Sequence, residues 1–193
     1  MTTTLKPTVY GVGINDVPGS RFTPYCKMWY SMFRRSYDPK WHARKPTYKE
    51  CTVDPRWHHL SDFKRWYEQQ GDVTGKQLDK DIISPDNKVY GPDTCLFVTG
   101  QLNNFFLKRQ NGRGECLVGV SYHDNRTHHF RSRVNDGGKN INLGYFSTEL
   151  EAYQAFIQVK KKLLLERFIL PETDQRLKQA LYNVYNNMEE YFK

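Results

Sequence analysis

Long apolar runs are missing from this sequence. No stretch approaches the roughly 20 apolar residues of a membrane span, and the opening MTTTLKPTVYGVG lacks the apolar segment of a secretory signal. The expectation is a soluble cytoplasmic protein with no membrane partner. Cysteine is sparse and scattered. Cys26, Cys51, Cys95 and Cys116 form no CxxC pair, so a zinc ribbon or finger has no support. Cys26, His42, Cys51 and His58 could in principle converge on zinc, but their spacing is irregular and reduced thiols are favoured. Internal repeats and long low-complexity segments are absent too. Negative charge is in deficit: 21 Asp and Glu face 29 Lys and Arg, for a net charge of +8. That excess points to a polyanion, nucleic acid first and an acidic membrane surface second.

What is present is aromatic. Tyr, Phe and Trp make up 15% of the 193 residues, so a core must be built largely from rings. The length suits one medium domain or two small ones. Three blocks and a tail emerge along the chain. In the first, residues 8–70, Tyr25, Met28, Trp29, Met32 and Phe33 recur at helical spacing. SYDPKWHARKPTY reads as loop, and a second helix is expected from Ser61 as its N-cap, with Phe63 and Trp66 or Tyr67 inward.

The second block, residues 76–106, reads as a strand over 77–83, a turn at SPDNK, and a return strand from Val89 limited by Pro92. An apolar stretch over 94–98 leads to a helix capped by Thr99. The basic, Gly-containing residues 107–114 look like a linker.

The third block, 115–168, reads as three antiparallel strands, with Asp136-Gly137-Gly138 supplying a hairpin turn. One helix follows, opened by a capping box at Thr148 and Glu151, with Ala152, Ala155, Phe156, Val159 and Leu163 on its inner face. Arg131 and Arg133 are two apart and share a sheet face, with Phe130, Ser132 and Val134 on the other. If Ile141 and Leu143 face the helix, Asn140 and Asn142 join the arginines, and Ser121 and His123 can join them from the first strand. Arg suits guanine edges or phosphates, and Asn suits adenine. The tail, 169–193, is expected to form one amphipathic helix with Leu177, Leu181, Val184 and Met188 on one side. It either packs on the chain's own core or, as the lesser expectation, makes a homodimer.

Read in order, GVSY, HFRSRV, NLGYF and STELEAYQAF resemble the Apetala-type domain of plant ethylene-response factors and its relatives in phage and homing endonucleases. The resemblance implies a sheet that reads the major groove of double-stranded DNA, with Ser121, His123, Arg133, Asn140 and Asn142 at or near contact positions. LDKDIISPDNKVYGPDTCLFVTGQLNN is similar to the phage-type HNH (ββα-metal) nucleases. By that resemblance Asp79 falls on the metal-binding acid, Lys80 where the base His stands, Thr94 on the middle Asn and Asn103 on the helical metal ligand. A divalent metal, Mg²⁺ or Mn²⁺, is implied there, with zinc disfavoured. The aromatic-rich block before it looks like the lead-in of many phage endonucleases.

The expected fold class is α+β: a helical and ββα-metal domain over 1–106, a linker over 107–114, a sheet-and-helix domain over 115–168 and a final helix. The implied function is a phage HNH-type DNA endonuclease of free-standing homing type, acting in the host cytoplasm. Lys80, Lys88, Lys108, Arg109 and Arg113 are candidates to neutralise phosphates. The alternative is a catalytically inactive, sequence-specific DNA-binding protein, a transcriptional regulator or competitor-interference factor. RNA binding is a third class.

Overall fold

The computed structural model describes residues 9–108, 114–124 and 127–192. The chain is mixed α+β and divides into two compact units at Val98/Thr99. That division falls eight residues before the end expected for the first domain, and it assigns the helix after Thr99 to the second unit.

The first unit is built on helix α1 (Pro24–Tyr37). Thr23 caps it, its hydroxyl accepting the Cys26 N–H at 3.4 Å, and Pro24 supplies a first-turn residue that needs no N–H acceptor. Cys26, Trp29, Met32 and Phe33 are its buried stripe. A short helix α2 (Pro39–Arg44) follows where loop was expected. Asp38 accepts the Lys40 N–H at 2.9 Å and Pro39 stands at the first position, so Asp-Pro starts a helix here instead of ending one.

Strand β1 (Thr52–Val53) leads to helix α3 (Leu60–Glu68). Ser61 does not cap α3. Asp16, 45 residues upstream, accepts both the Ser61 N–H (2.9 Å) and its hydroxyl (2.6 Å). Strands β2 (Lys76–Asp79), β3 (Val89–Tyr90) and β4 (Leu96–Thr99) complete the unit, with β1 pairing β3 in parallel and β2 pairing β4. The expected hairpin between 77–83 and 89–90 is therefore not formed. The core is aromatic, as the composition required. Trp29, Phe33, Trp57 and Phe63 are fully buried, and the Trp29 indole N–H donates to the Trp57 carbonyl at 2.7 Å.

The second unit opens with helix α4 (Gly100–Phe105), capped by the Thr99 hydroxyl. Strands β5 (Val120–Tyr122), β6 (Phe130–Asp136) and β7 (Lys139–Phe146) form an antiparallel sheet in the order β5-β6-β7. Helix α5 (Glu149–Leu164) packs on it and begins with the expected capping box, reciprocal Thr148–Glu151 bonds of 3.1 and 3.2 Å. Its buried face is Ala152, Tyr153, Phe156, Ile157, Lys160 and Leu164, a stripe offset from the expected one and containing a lysine.

Gly119 has φ +83, and the Phe156 ring occupies the space a Cβ would take, so only glycine admits this close approach. A π-helical turn over Leu165–Ile169 continues α5. The tail then forms two helices, α6 (Gln175–Asn186) and α7 (Met188–Phe192), not one. Leu177, Leu181, Val184, Met188 and Phe192 are buried within the chain. Among the described residues no helix is long and apolar enough to cross a membrane.

Candidate nucleic-acid interface

Strand alternation alone does not account for the outer face of this sheet. Phe130 pairs Phe146, Arg131 pairs Tyr145 and Ser132 pairs Gly144, but Arg133 pairs Asn142. Leu143 is the extra residue of a β-bulge. Tyr145 and Asn142 are three apart and would face opposite ways on a regular strand. The bulge turns both to the side of Arg131 and Arg133. It also brings Asn140 opposite Asn135, while Ile141 pairs Val134 on the helix side. The outer face thus gathers Arg131, Arg133, Asn135, Asn140, Asn142 and Tyr145, with Ser121 paired to Arg131 from β5.

These side chains are braced. Arg131 Nε donates to Asn142 Oδ1 at 3.1 Å, and its guanidinium lies 5.9 Å from the centre of the Tyr145 ring. His123 meets the same ring edge-on at 5.9 Å, and its Nε2 is 3.2 Å from the Ser121 hydroxyl. Asn135 Nδ2 donates to Asn140 Oδ1 at 3.1 Å. Among the described residues neither arginine has a carboxylate partner. Asp136, the nearest acid in sequence, is held by Arg167.

The structure brings all six sequence-predicted contact residues to one face, with one difference of role. Ser121 is only 5% exposed and faces His123, so it positions the imidazole. Sequence reasoning missed Asn135 and Tyr145. Simple alternation sets Tyr145 with Ile141 and Leu143, and the one signal against this is Gly144 (φ +127), a residue that marks bulges.

A cavity of 330 Å³ opens at one end of this face, lined by Asn104, Arg133, Asn135, Asn140 and Lys160 with Phe105 and Phe156 as walls. Lys160 is 5% exposed. Its ammonium donates to the Phe105 carbonyl at 2.5 Å and sits 3.5 Å from that ring's centre. Burial pushes its pKa down to about 7, against a smaller opposing pull from Asp136.

The residues matched to a nuclease centre have local structural partners. Asp79 ends β2, and its Oδ1 accepts the N–H groups of Asp81 and Ile82, both at 2.9 Å. Burial holds its carboxyl above the usual range, in spite of those two bonds. Lys80 is 7% exposed, with its ammonium between Asp81 Oδ1 (2.5 Å) and the Asn87 carbonyl (2.6 Å). Thr94 donates to the Val89 carbonyl at 2.7 Å. The loop is pinned by Asn87, whose amide donates to the carbonyls of Lys80 and Val89 and accepts the Val89 N–H. Asn103 lies on α4, in the other unit from Asp79.

His58 and His59, the histidines of this unit nearest the turn in sequence, are engaged elsewhere. The His58 ring is 3.0 Å from the Val53 carbonyl, and the His59 ring is 3.3 Å from Asp16. With Asp79 Oδ1 committed to the turn and Asp81 to the buried Lys80 ammonium, the arrangement does not fit a divalent cation. Among the described residues no three His, Cys, Asp or Glu side chains are grouped as metal ligands. The zinc quartet is likewise dispersed over separate partners: Cys26 with the Ser20 hydroxyl, His42 with the Arg35 carbonyl, Cys51 with the Thr47 carbonyl, His58 with Val53.

Of the proposed phosphate-neutralising residues, Lys88 pairs with Glu50 and Lys108 lies over the Tyr191 ring. Arg109 and Arg113 lie outside the described residues. Comparison with protein-family models, curated proteins and solved structures found no match to this chain.

Proposed function

We propose that the protein binds double-stranded DNA through the outer face of its β5-β6-β7 sheet, as a non-catalytic, sequence-reading DNA-binding protein. The observation that carries this reading is the bulge-set register, which gives one solvent-facing surface two arginines free of carboxylates, three asparagines, a histidine and a tyrosine. Their chemistry fits base edges and phosphates: bidentate donors for guanine, amides for adenine, a ring for a thymine methyl. The size fits too. Three strands about 4.8 Å apart span roughly 10 Å, and the major groove is about 12 Å wide. The helix behind the sheet leaves this face open to the groove.

The test is duplex binding by fluorescence anisotropy. Wild type is expected to bind with strong salt dependence, and Arg131→Ala with Arg133→Ala to lose at least about tenfold in affinity, each base-reading arginine being worth roughly 1–3 kcal/mol. Unchanged affinity in the double variant would remove the sheet as the reader. An excess of structured RNA that displaces the duplex would transfer the reading to RNA.

Cleavage is the activity that the phage HNH resemblance implies. The turn-capping role of Asp79 favours binding without scission. Supercoiled plasmid incubated with Mg²⁺ or Mn²⁺ is therefore expected to stay intact. Nicking that disappears in Asp79→Ala would restore the endonuclease reading.

A further inference from the structure

Residues 21–49 hold eight Lys and Arg and one acid, Asp38, which accounts for most of the chain's net charge. Elsewhere in the first unit four surface cations are neutralised at home: Arg56 by Asp54 and Asp93, Lys64 by Glu68, Arg65 by Asp62, Lys88 by Glu50. Among the described residues no carboxylate pairs with Lys27, Arg34, Lys40 or Arg44. All four are exposed.

They are also gathered. Lys27 and Arg34 are seven residues apart on α1 and so share one side of that helix. Lys40 and Arg44 are four apart on α2 and share one side there. The two helices are tied through one indole: Arg34 lies 4.6 Å and Arg44 5.7 Å from the centre of the Trp41 ring. Two like charges are thus held at one ring with no counter-ion. Cation–π attraction offsets only about 0.5–1 kcal/mol per pair at an exposed site. Such a cluster is poised to displace the counter-ions condensed on a polyanion.

We infer that this α1–α2 face is a second DNA-contact surface, holding the phosphate backbone of a duplex through Lys27, Arg34, Lys40 and Arg44. The inference rests on the duplex-binding reading above. It adds affinity without sequence information, because phosphate contacts position a protein on DNA and do not read it. The N-terminal unit then has a role that requires no metal centre.

The experiment compares salt slopes of duplex binding for three full-length proteins. They are wild type, a face variant (Lys27→Gln, Arg34→Gln, Lys40→Gln, Arg44→Gln) and a control in which four ion-paired cations are replaced (Arg56→Gln, Lys64→Gln, Arg65→Gln, Lys88→Gln). Each lost phosphate contact removes about 0.9 from the slope of log K against log salt, so the face variant should bind with a slope shallower by roughly 2–4. The control should stay within about one unit of wild type. Circular dichroism checks that both variants are folded.

A face-variant slope equal to wild type overturns the inference while the sheet reading stands. An equal drop in the control also overturns it, since the effect would then be net charge alone. If Arg131→Ala with Arg133→Ala binds as wild type does and the face variant does not, the sheet reading fails and this surface remains. Failure of wild type to hold duplex DNA while binding phosphatidylserine vesicles overturns both.

Discussion

Asn142 takes the Nε–H of Arg131 on its side-chain oxygen at 3.1 Å while standing directly across the strand pair from Arg133. One amide thus bonds one arginine of the candidate reading face and stands opposite the other in the strand register. A guanidinium fixed at Nε keeps its terminal N–H groups free as a fork for a base edge or phosphate. Asn142→Ala is expected to weaken duplex binding by roughly 1–3 kcal/mol, of which part is lost order in Arg131. A double-mutant cycle with Arg131→Ala should show a coupling of at least about 0.5 kcal/mol. Strict additivity would mean that the two side chains act independently.

The close approach of Gly119 to Phe156 fixes how α5 lies on the sheet. Gly119→Ala sets a Cβ into the ring and demands φ +83 of an alanine. The expected cost is about 2–4 kcal/mol, combining backbone strain with overpacking. In a unit of this size each kcal/mol lowers Tm by roughly 4–8 °C. Calorimetry checks the shift, and Phe156→Leu in the same chain should recover part of it by making room for the Cβ.

Much of the second unit was legible because its signals are local. The capping box, the Asp136-Gly137-Gly138 turn and the two-residue arginine spacing each act over a few residues, and each appears in the structure. What escaped depends on partners distant in sequence. Asp16 does the capping at Ser61, β3 pairs with β1 instead of β2, and the bulge at Leu143 moves Tyr145 to the outer face. In the first unit, the polar stretch around Asp79 and Lys80 resembles a hydrolytic centre by residue type. The structure uses those residues to build a turn, where a carboxylate and an ammonium are as useful as in catalysis. Asn87, which pins that turn, carries no mark in the sequence beyond its place among turn formers.

Lys160 also escaped, because a lysine on a helix is ordinarily solvated. Its amine is held near pKa 7 by burial, below the ordinary value of 10.5. The unfolded chain therefore carries the proton more readily than the folded one between about pH 7 and 10.5, and stability rises with pH through that window. Below pH 7 the full cost of burying the charge is present. Lys160→Met is expected to raise stability at pH 6–7 and to flatten the pH dependence. Urea melts at pH 6.5, 8 and 9.5 check this. A variant less stable than wild type at every pH would mean that the bond to the Phe105 carbonyl outweighs the cost of burial.

Asp79 offers the sharpest separation of a turn from a metal site. Its Oδ1 caps two backbone N–H groups, and an asparagine in its place retains that oxygen. Burial raises the carboxyl pKa, so the charged form is penalised in the folded state. That penalty is complete above the folded pKa and is relieved as pH falls through it toward the unfolded value. At neutral pH Asp79→Asn should therefore keep or slightly improve stability. Asp79→Ala should lose about 1–3 kcal/mol, because two part-buried N–H groups are left without that acceptor. A divalent site predicts different behaviour: Mg²⁺ or Mn²⁺ would raise the Tm of wild type, and the asparagine variant would lose that response. Thermal melts of the three proteins with and without each metal distinguish the two. A metal-dependent stabilisation confined to wild type would return Asp79 to the role that the nuclease resemblance assigns it.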